Sequence, residues 1–139
     1  MITAVDTNIL IDILEPDPDF GPSSKAALKK CLLQGSVVAC EVVWAETATA
    51  YGDKIPQLLD ILQQMGIIYS PMSQEVAIGA AKSWHAYRER GGSKKKIVAD
   101  FLIGAHASVQ CDQLLSRDRG FYRKFFTSLK FIPPDAMAL

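Results

Sequence analysis

The pattern of apolar and polar positions divides the chain into short apolar runs and longer stretches with helical spacing. Residues 2–5 (ITAV) are an apolar run rich in β-formers, which predicts a buried strand. In residues 7–14 (TNILIDIL) the apolar side chains recur four positions apart. This spacing predicts a helix directly after the strand, with Thr7 or Asn8 as its N-cap.

The same alternation of strand and helix continues along the chain. Strands are predicted at residues 2–5, 36–39, 66–70, 113–116 and near 130–133. Helices are predicted at residues 7–14, from Ser23 or Ser24 to about 34, and at 40–51, 57–65, 73–90 and 94–110. Each strand is continuously apolar and is followed by a helical crossover, which indicates a parallel sheet covered on both faces. We therefore predict a single three-layer α/β/α domain with a central, mostly parallel sheet.

Composition fits one globular domain in a reducing compartment. The 139 residues are 49% hydrophobic and 22% charged, which suffices for one hydrophobic core. Cys31, Cys40 and Cys111 are scattered and show no metal-binding or disulfide spacing. The sequence shows neither a signal-peptide pattern nor an apolar run of about 20 residues, so we expect a cytoplasmic protein with no membrane segment.

Acidic residues occur where two of the predicted strands end. Asp6 directly follows the first strand, and Asp118 follows the fourth, with Ser116 just before it. Chemistry in open parallel sheets collects at the carboxyl ends of the strands. We therefore expect Asp6 and Asp118 at the same edge.

Two further acids lie within predicted helices, and helical phase decides their surroundings. The positions three and four away from Glu46 are apolar or small, so we expect its carboxylate on a sheltered face. Asp100 lies in the most apolar helix, and Gly104 is expected to leave open space one turn from it. A buried carboxylate needs a partner, so the alternative is that each acid simply pairs with a Lys or Arg.

Convergence of all four acids would require a cation. Carboxylates a few ångströms apart repel one another unless a divalent ion lies between them. A site built only of oxygen ligands favours Mg²⁺ or Mn²⁺. His106 is expected to lie on the opposite side of its helix from Asp100, packed or hydrogen-bonded rather than ligating.

Four segments together resemble the PIN domain, and in particular the VapC-type ribonuclease toxins of toxin–antitoxin pairs. These segments are DTNILIDIL, EVVWAETA, IVADFLIGAHA and LLSRDRGFY, and the resemblance covers residues 1–139. By position, the resemblance implies an acidic metal-binding quartet of Asp6, Glu46, Asp100 and Asp118. It implies that Ser116 braces the site, that Asn8 lies beside the first acid, and that the fourth acid often acts through water.

The resemblance implies hydrolysis of RNA phosphodiester bonds with one or two divalent ions, a number that the sequence leaves open. It also implies a VapB-like antitoxin partner and a homodimer, with contacts through EVVWAE, QLLDILQQM and the loop at residues 16–22. A set of basic residues either contacts the RNA backbone or forms a solvated surface, and the sequence leaves both open. These residues are Arg88, Arg90, Lys94, Lys95, Lys96, Arg117, Arg119, Arg123 and Lys124. Arg117 and Arg119, on either side of Asp118, are expected to contact phosphate or to weaken metal binding there.

Two other functions are compatible with an aspartate after the first strand, and the sequence argues against both. A haloacid-dehalogenase-like phosphotransferase needs a second aspartate two positions after the first, and Asn8 stands there instead. A binding module that keeps the fold without cleaving would be expected to lack some of the acids, and all four are present.

Overall fold

The computed structural model describes residues 1–92 and 96–134, except for the side chain of Arg119. Its strands are β1 (Ile2–Val5), β2 (Ser36–Ala39), β3 (Ile67–Tyr69), β4 (Gln113–Leu115) and β5 (Phe131–Ile132). Its helices are α1 (Thr7–Leu14), α2 (Gly21–Gln34), α3 (Glu41–Thr49), α4 (Ile55–Gln64), α5 (Gln74–Glu89), α6 (Val98–Gln110) and α7 (Arg119–Phe125), with a short 3₁₀ turn at Gly52–Lys54.

The five strands of the described residues form one parallel sheet in the order β3-β2-β1-β4-β5. The predicted three-layer α/β/α architecture is confirmed. The chain moves outward from β1 in one direction through β2 and β3, and β4 returns to the other side of β1. This reversal lies between β1 and β4, which is where open parallel sheets commonly form their sites.

Strand register places Asp6 and Ser116 next to each other. Val5 pairs with Leu115, and the Asp6 N–H donates to the Leu115 carbonyl at 3.0 Å. The apolar residues before them are buried in the core. Two polar residues that follow paired strand ends therefore emerge at one point of the sheet edge.

Aromatic packing joins α6 to α7 beside this point. Phe101 of α6 meets Phe121 of α7 edge-on, with ring centroids 5.0 Å apart. The expectation of open space at Gly104 is wrong, because the Phe126 ring fills it: a Cβ on Gly104 would lie 2.5 Å from that ring. Glycine is therefore what allows the chain after α7 to pack directly against α6.

Several predicted boundaries are corrected. The N-cap of α1 is Asp6, not Thr7 or Asn8, and α2 begins at Gly21, ahead of the serines proposed as its caps. Helix α6, predicted to begin at residue 94, begins at Val98. Residues 94 and 95 lie outside the described residues. Helix α7 was not predicted. In the part of the chain that the structure describes, no helix has the length and hydrophobicity to cross a membrane.

Candidate functional site

Asp6 is the centre of a buried hydrogen-bond network. Its Oδ1 accepts from the Thr7 N–H at 2.7 Å, which caps α1. Its Oδ2 accepts from Ser116 Oγ at 2.6 Å, Tyr122 OH at 3.2 Å and Asn8 Nδ2 at 3.3 Å. The side chain is held in one orientation by donors from both neighbouring strand ends and from α7. Every donor in this network is electrically neutral.

Burial makes the charge on Asp6 costly. The residue is 6% exposed, and desolvation raises its pKa from 3.8 to about 6. The hydrogen bonds from Ser116, Thr7 and Tyr122 oppose this rise, while the negative charge of Glu46 adds to it. At neutral pH the carboxylate is therefore ionised but poorly compensated, and a cation beside it would be stabilising.

Glu46 reaches the site through Thr7. It is exposed on α3, so the expectation of a sheltered face is wrong: the neighbouring Thr49 and Ala50 are themselves exposed and too small to cover it. Thr7 Oγ1 donates to Glu46 Oε1 at 2.6 Å. The glutamate is thus fixed at the N-terminus of α1, close enough for its charge to act on Asp6.

Asp100 and Asp118 come from the two segments that α6 and α7 bring together. Asp100 is half-buried in the first turn of α6, and its Oδ2 accepts from the Ile97 N–H at 3.0 Å. The Asp118 N–H donates to Ser116 Oγ at 3.0 Å, and its carboxylate forms an ion pair with Lys96 Nζ. Ser116 therefore links Asp118 to Asp6 through two hydrogen bonds.

The pKa of Tyr122 shows that several of these acids lie near its phenol. Burial raises the pKa of its phenol well above the usual value, and three nearby carboxylates raise it further. Those carboxylates belong to Asp6, Asp100 and Asp118. Three of the predicted acids therefore lie near one hydroxyl. The fourth, Glu46, is hydrogen-bonded to Thr7, which directly follows Asp6.

The donor chemistry of this site fits a hard divalent ion, but the ligands are not fully assembled. The acidic side chains of the site offer carboxylate oxygens, which such an ion prefers, and Asp6 carries charge that its neutral donors leave uncompensated. Within residues 1–92 and 96–134, no three Asp, Glu, His or Cys side chains stand close enough to hold one ion as placed. Side-chain adjustment of the exposed Glu46 or the half-buried Asp100 would be needed.

Arg117 does not face the site, contrary to the expectation that it contacts phosphate or weakens metal binding. Its Nε and a terminal amine donate to the two Asp12 oxygens at 2.7 and 2.9 Å, and its guanidinium lies 4.1 Å from the centroid of the Phe20 ring. Asp12 is 3% exposed and also accepts from Ser24 Oγ at 2.8 Å. This ion pair ties the loop between Ser116 and Asp118 to α1.

Other predicted residues lie away from the acids or outside the described part. His106 is buried, and its Nε2 lies 3.0 Å from Ser70 Oγ, so its predicted packed role is confirmed. Three of the basic side chains lie over nearby aromatic rings: Arg88 over Trp84, Arg123 over Phe131 and Lys124 over Phe125. Lys94, Lys95 and the side chain of Arg119 lie outside the described residues.

The sequence pattern did not predict the place of Tyr122 in the site, the hydrogen bond of Thr7 to Glu46, or the partners of Asp118 and Asp12. Tyr122 belongs to α7, and the repetition of Phe121 and Phe125 four positions apart is the signal that could have revealed that helix. The other contacts join residues far apart in sequence and leave no periodic pattern.

Comparison with known proteins finds one matching family and several solved structures of similar fold. The family model described as PIN domain matches residues 3–126. The chain superposes on VapBC2 from Rickettsia felis, solved bound to a DNA fragment from its promoter, with a TM-score of 0.75 and 18% identity over 96% of this chain and 98% of that chain. VapBC-1 from nontypeable Haemophilus influenzae gives a TM-score of 0.73 and 17% identity over 97% and 99% of the two chains. FitAcB from Neisseria gonorrhoeae gives 0.70 and 25% identity over 96% and 98%. No curated protein shows a significant sequence match.

Proposed function

Because the chain belongs to the PIN domain family, we propose that it is a divalent-metal-dependent endoribonuclease that hydrolyses RNA phosphodiester bonds, and that it is the toxin of a type II toxin–antitoxin pair. The observation that carries the proposal is the state of Asp6. A carboxylate that is 6% exposed, has a pKa raised to about 6 and is hydrogen-bonded only by neutral donors stands among three further acids. This arrangement favours binding of a cation beside Asp6.

Asp6, Glu46 and Asp100 would hold the ion directly, and Asp118, which already pairs with Lys96, would act on it through water. Mg²⁺ or Mn²⁺, when bound, supplies positive charge that activates water and offsets the charge developing on the phosphate. The chain's own contribution is to orient the ligands. Ser116 and Tyr122 fix Asp6, and Thr7 fixes Glu46.

Ser116 serves as a brace and not as a nucleophile in this proposal. Its hydroxyl proton is donated to Asp6, and its oxygen accepts from the Asp118 N–H. The hydroxyl is buried, with 0% of the residue exposed, so a phosphodiester has no path to it. Water, not a side chain, is therefore the group that attacks phosphorus.

The proposal is tested by cleavage-site mapping on total cellular RNA, with Mg²⁺, with Mn²⁺ and with EDTA. Asp6→Asn and Asp100→Asn are expected to abolish metal-dependent cleavage while the circular dichroism spectrum stays unchanged. Asp53→Asn, at an exposed acid in the 3₁₀ turn, is the matched control and is expected to cut as wild type does. Full cleavage by Asp6→Asn would remove that residue from the mechanism. RNA binding without cleavage by the wild type would favour the binding-module alternative.

We propose a VapB-like antitoxin and a second copy of this chain as partners. The support is that the similar structures are of VapBC and FitAB systems and that this chain exposes apolar side chains on α4 and β3. These side chains are Ile55, Leu59, Ile68 and Tyr69, each 40% exposed or more. Light scattering should give twice the chain mass of 15.2 kDa for a dimer. Leu59→Glu is expected to reduce association without altering the monomer fold, and a monomeric wild type would contradict the dimer.

A further inference from the structure

Lys96 occupies one carboxylate of the acidic site. Its Nζ forms an ion pair with Asp118 Oδ2 and lies 4.6 Å from the centroid of the Phe121 ring. The two charged side chains are only 27% and 35% exposed. The ammonium is therefore held between a carboxylate and an aromatic face, which together attract a cation more than either group alone.

Both ends of this ion pair are fixed by the acidic site itself. Lys96 directly precedes Ile97, whose N–H is held by Asp100 Oδ2 at 3.0 Å. Asp118 is held through its N–H by Ser116 Oγ at 3.0 Å. The ion pair thus crosses the site from the start of α6 to the loop after β4.

The packing of α6 against α7 maintains the distance between these two segments. Phe101 and Phe121 meet edge-on at 5.0 Å, and the Phe126 ring fits against Gly104. A lysine whose backbone and partner are both fixed loses less conformational freedom on pairing than two mobile surface chains do. Lys96 is therefore suited to be a resident counter-charge and not a passing surface contact.

We infer that Lys96 neutralises Asp118 permanently, and that the acidic site is consequently complete with one divalent ion and does not take a second. This inference rests on the proposed metal dependence and specifies its stoichiometry. In the proposed function Asp6, Glu46 and Asp100 hold the first ion and Asp118 acts on it only through water, so a second ion would need direct coordination by the Asp118 carboxylate. To obtain it, the ion would have to displace the Lys96 ammonium or lie beside it. Two positive centres on one carboxylate repel each other, so the second ion is excluded while Lys96 is present.

The test is the number of Mn²⁺ ions bound by the full-length chain, measured by electron paramagnetic resonance of free Mn²⁺ at neutral pH. Wild type is expected to bind about one ion, and Lys96→Met, which frees Asp118, about two. The double variant K96M/D118N should return to about one, because the freed ligand is removed again. Lys29→Met, at an exposed lysine of α2, makes the same change of charge elsewhere and should leave the wild-type value unchanged. Lys96→Gln repeats the test if the methionine variant does not fold.

The outcomes separate this inference from the proposed function. Two ions on the wild type, with metal-dependent cleavage intact, would overturn the inference alone. One ion on both wild type and Lys96→Met would also overturn it, because Lys96 would not be what limits the number. Absence of Mn²⁺ binding by every variant, together with cleavage that EDTA does not stop, would overturn the proposed metal dependence and this inference with it.

Discussion

Arg117→Met is expected to destabilise the protein strongly although the residue lies in a loop. The substitution keeps much of the aliphatic stem but removes both hydrogen bonds to Asp12, at 2.7 and 2.9 Å. Asp12 is 3% exposed in the native protein, and Ser24 Oγ would be its remaining side-chain donor. A buried carboxylate that loses its charged partner keeps its desolvation cost without compensation.

The magnitude follows from the unequal burial of the two partners. Breaking a fully buried pair costs about 3–5 kcal/mol, but the Arg117 side chain is 31% exposed, so water can replace part of the lost interaction. We expect about 2–3 kcal/mol, or a melting temperature lower by roughly 10 °C for a chain of this size. Asp12→Asn should cost less, about 1 kcal/mol, because the arginine left behind can reach solvent.

Urea unfolding followed by circular dichroism measures these differences, with Arg90→Met at an exposed position of the chain as the control. The double variant R117M/D12N should be more stable than Arg117→Met alone, because no unpaired buried charge remains. RNA cleavage by the folded fraction of Arg117→Met should fall by roughly tenfold to a hundredfold, since Ser116 and Asp118 flank the residue. An Arg117→Met variant within about 0.5 kcal/mol of wild type would refute the reasoning.

Three further predictions concern Asp6 and Gly104. Because folding raises the pKa of Asp6 from 3.8 to about 6, the contribution of Asp6 to stability is greatest below pH 4 and falls by about 3 kcal/mol as the pH rises through 6. Metal-free Asp6→Asn should therefore match wild type at pH 4 and exceed it at pH 7 in urea unfolding, and a gap independent of pH would contradict this. Mn²⁺ at a hundredfold excess over its Kd should stabilise wild type by about 2.7 kcal/mol at pH 7 and Asp6→Asn far less, as measured by thermal melts. Gly104→Ala, whose Cβ would meet the Phe126 ring, should cost about 1–3 kcal/mol in the same melts, while Gly120→Ala, which has open space, should cost nothing.

The parts of the fold that follow from local pattern could be predicted from the sequence. Short, mostly apolar runs indicated β1 and β4, and the polar residues that follow them mark the site, because parallel strands expose their carboxyl ends at one edge. Helix α7 has a weaker local signal, the repetition of Phe121 and Phe125 four positions apart. Cationic residues interrupt its aromatic ones, and its side chains are fixed only when Phe121 packs on Phe101 of α6.

Charged partners were equally hidden from the sequence. Lys96 and Asp118 are 22 positions apart, and Arg117 and Asp12 are 105 apart. Both pairs depend on tertiary packing that no short-range pattern encodes. The four acids were predicted from strand ends and helical phase, and the family resemblance assigned them to one metal-binding site, but neither indicates which acids are already neutralised.

The partners of the acids decide where a cation is needed. Asp12 and Asp6 are almost equally buried, at 3% and 6% exposed, yet Asp12 faces an arginine and Asp6 faces only neutral donors. Asp118 likewise has an ammonium of its own. Neutral hydrogen bonds orient a carboxylate and disperse its charge, but they do not cancel it, so the negative potential of Asp6 remains and Glu46 increases it. The negative charge that no cationic side chain balances is therefore concentrated at the end of β1. A divalent ion would be bound most strongly there, and removing it would be most costly to the folded state.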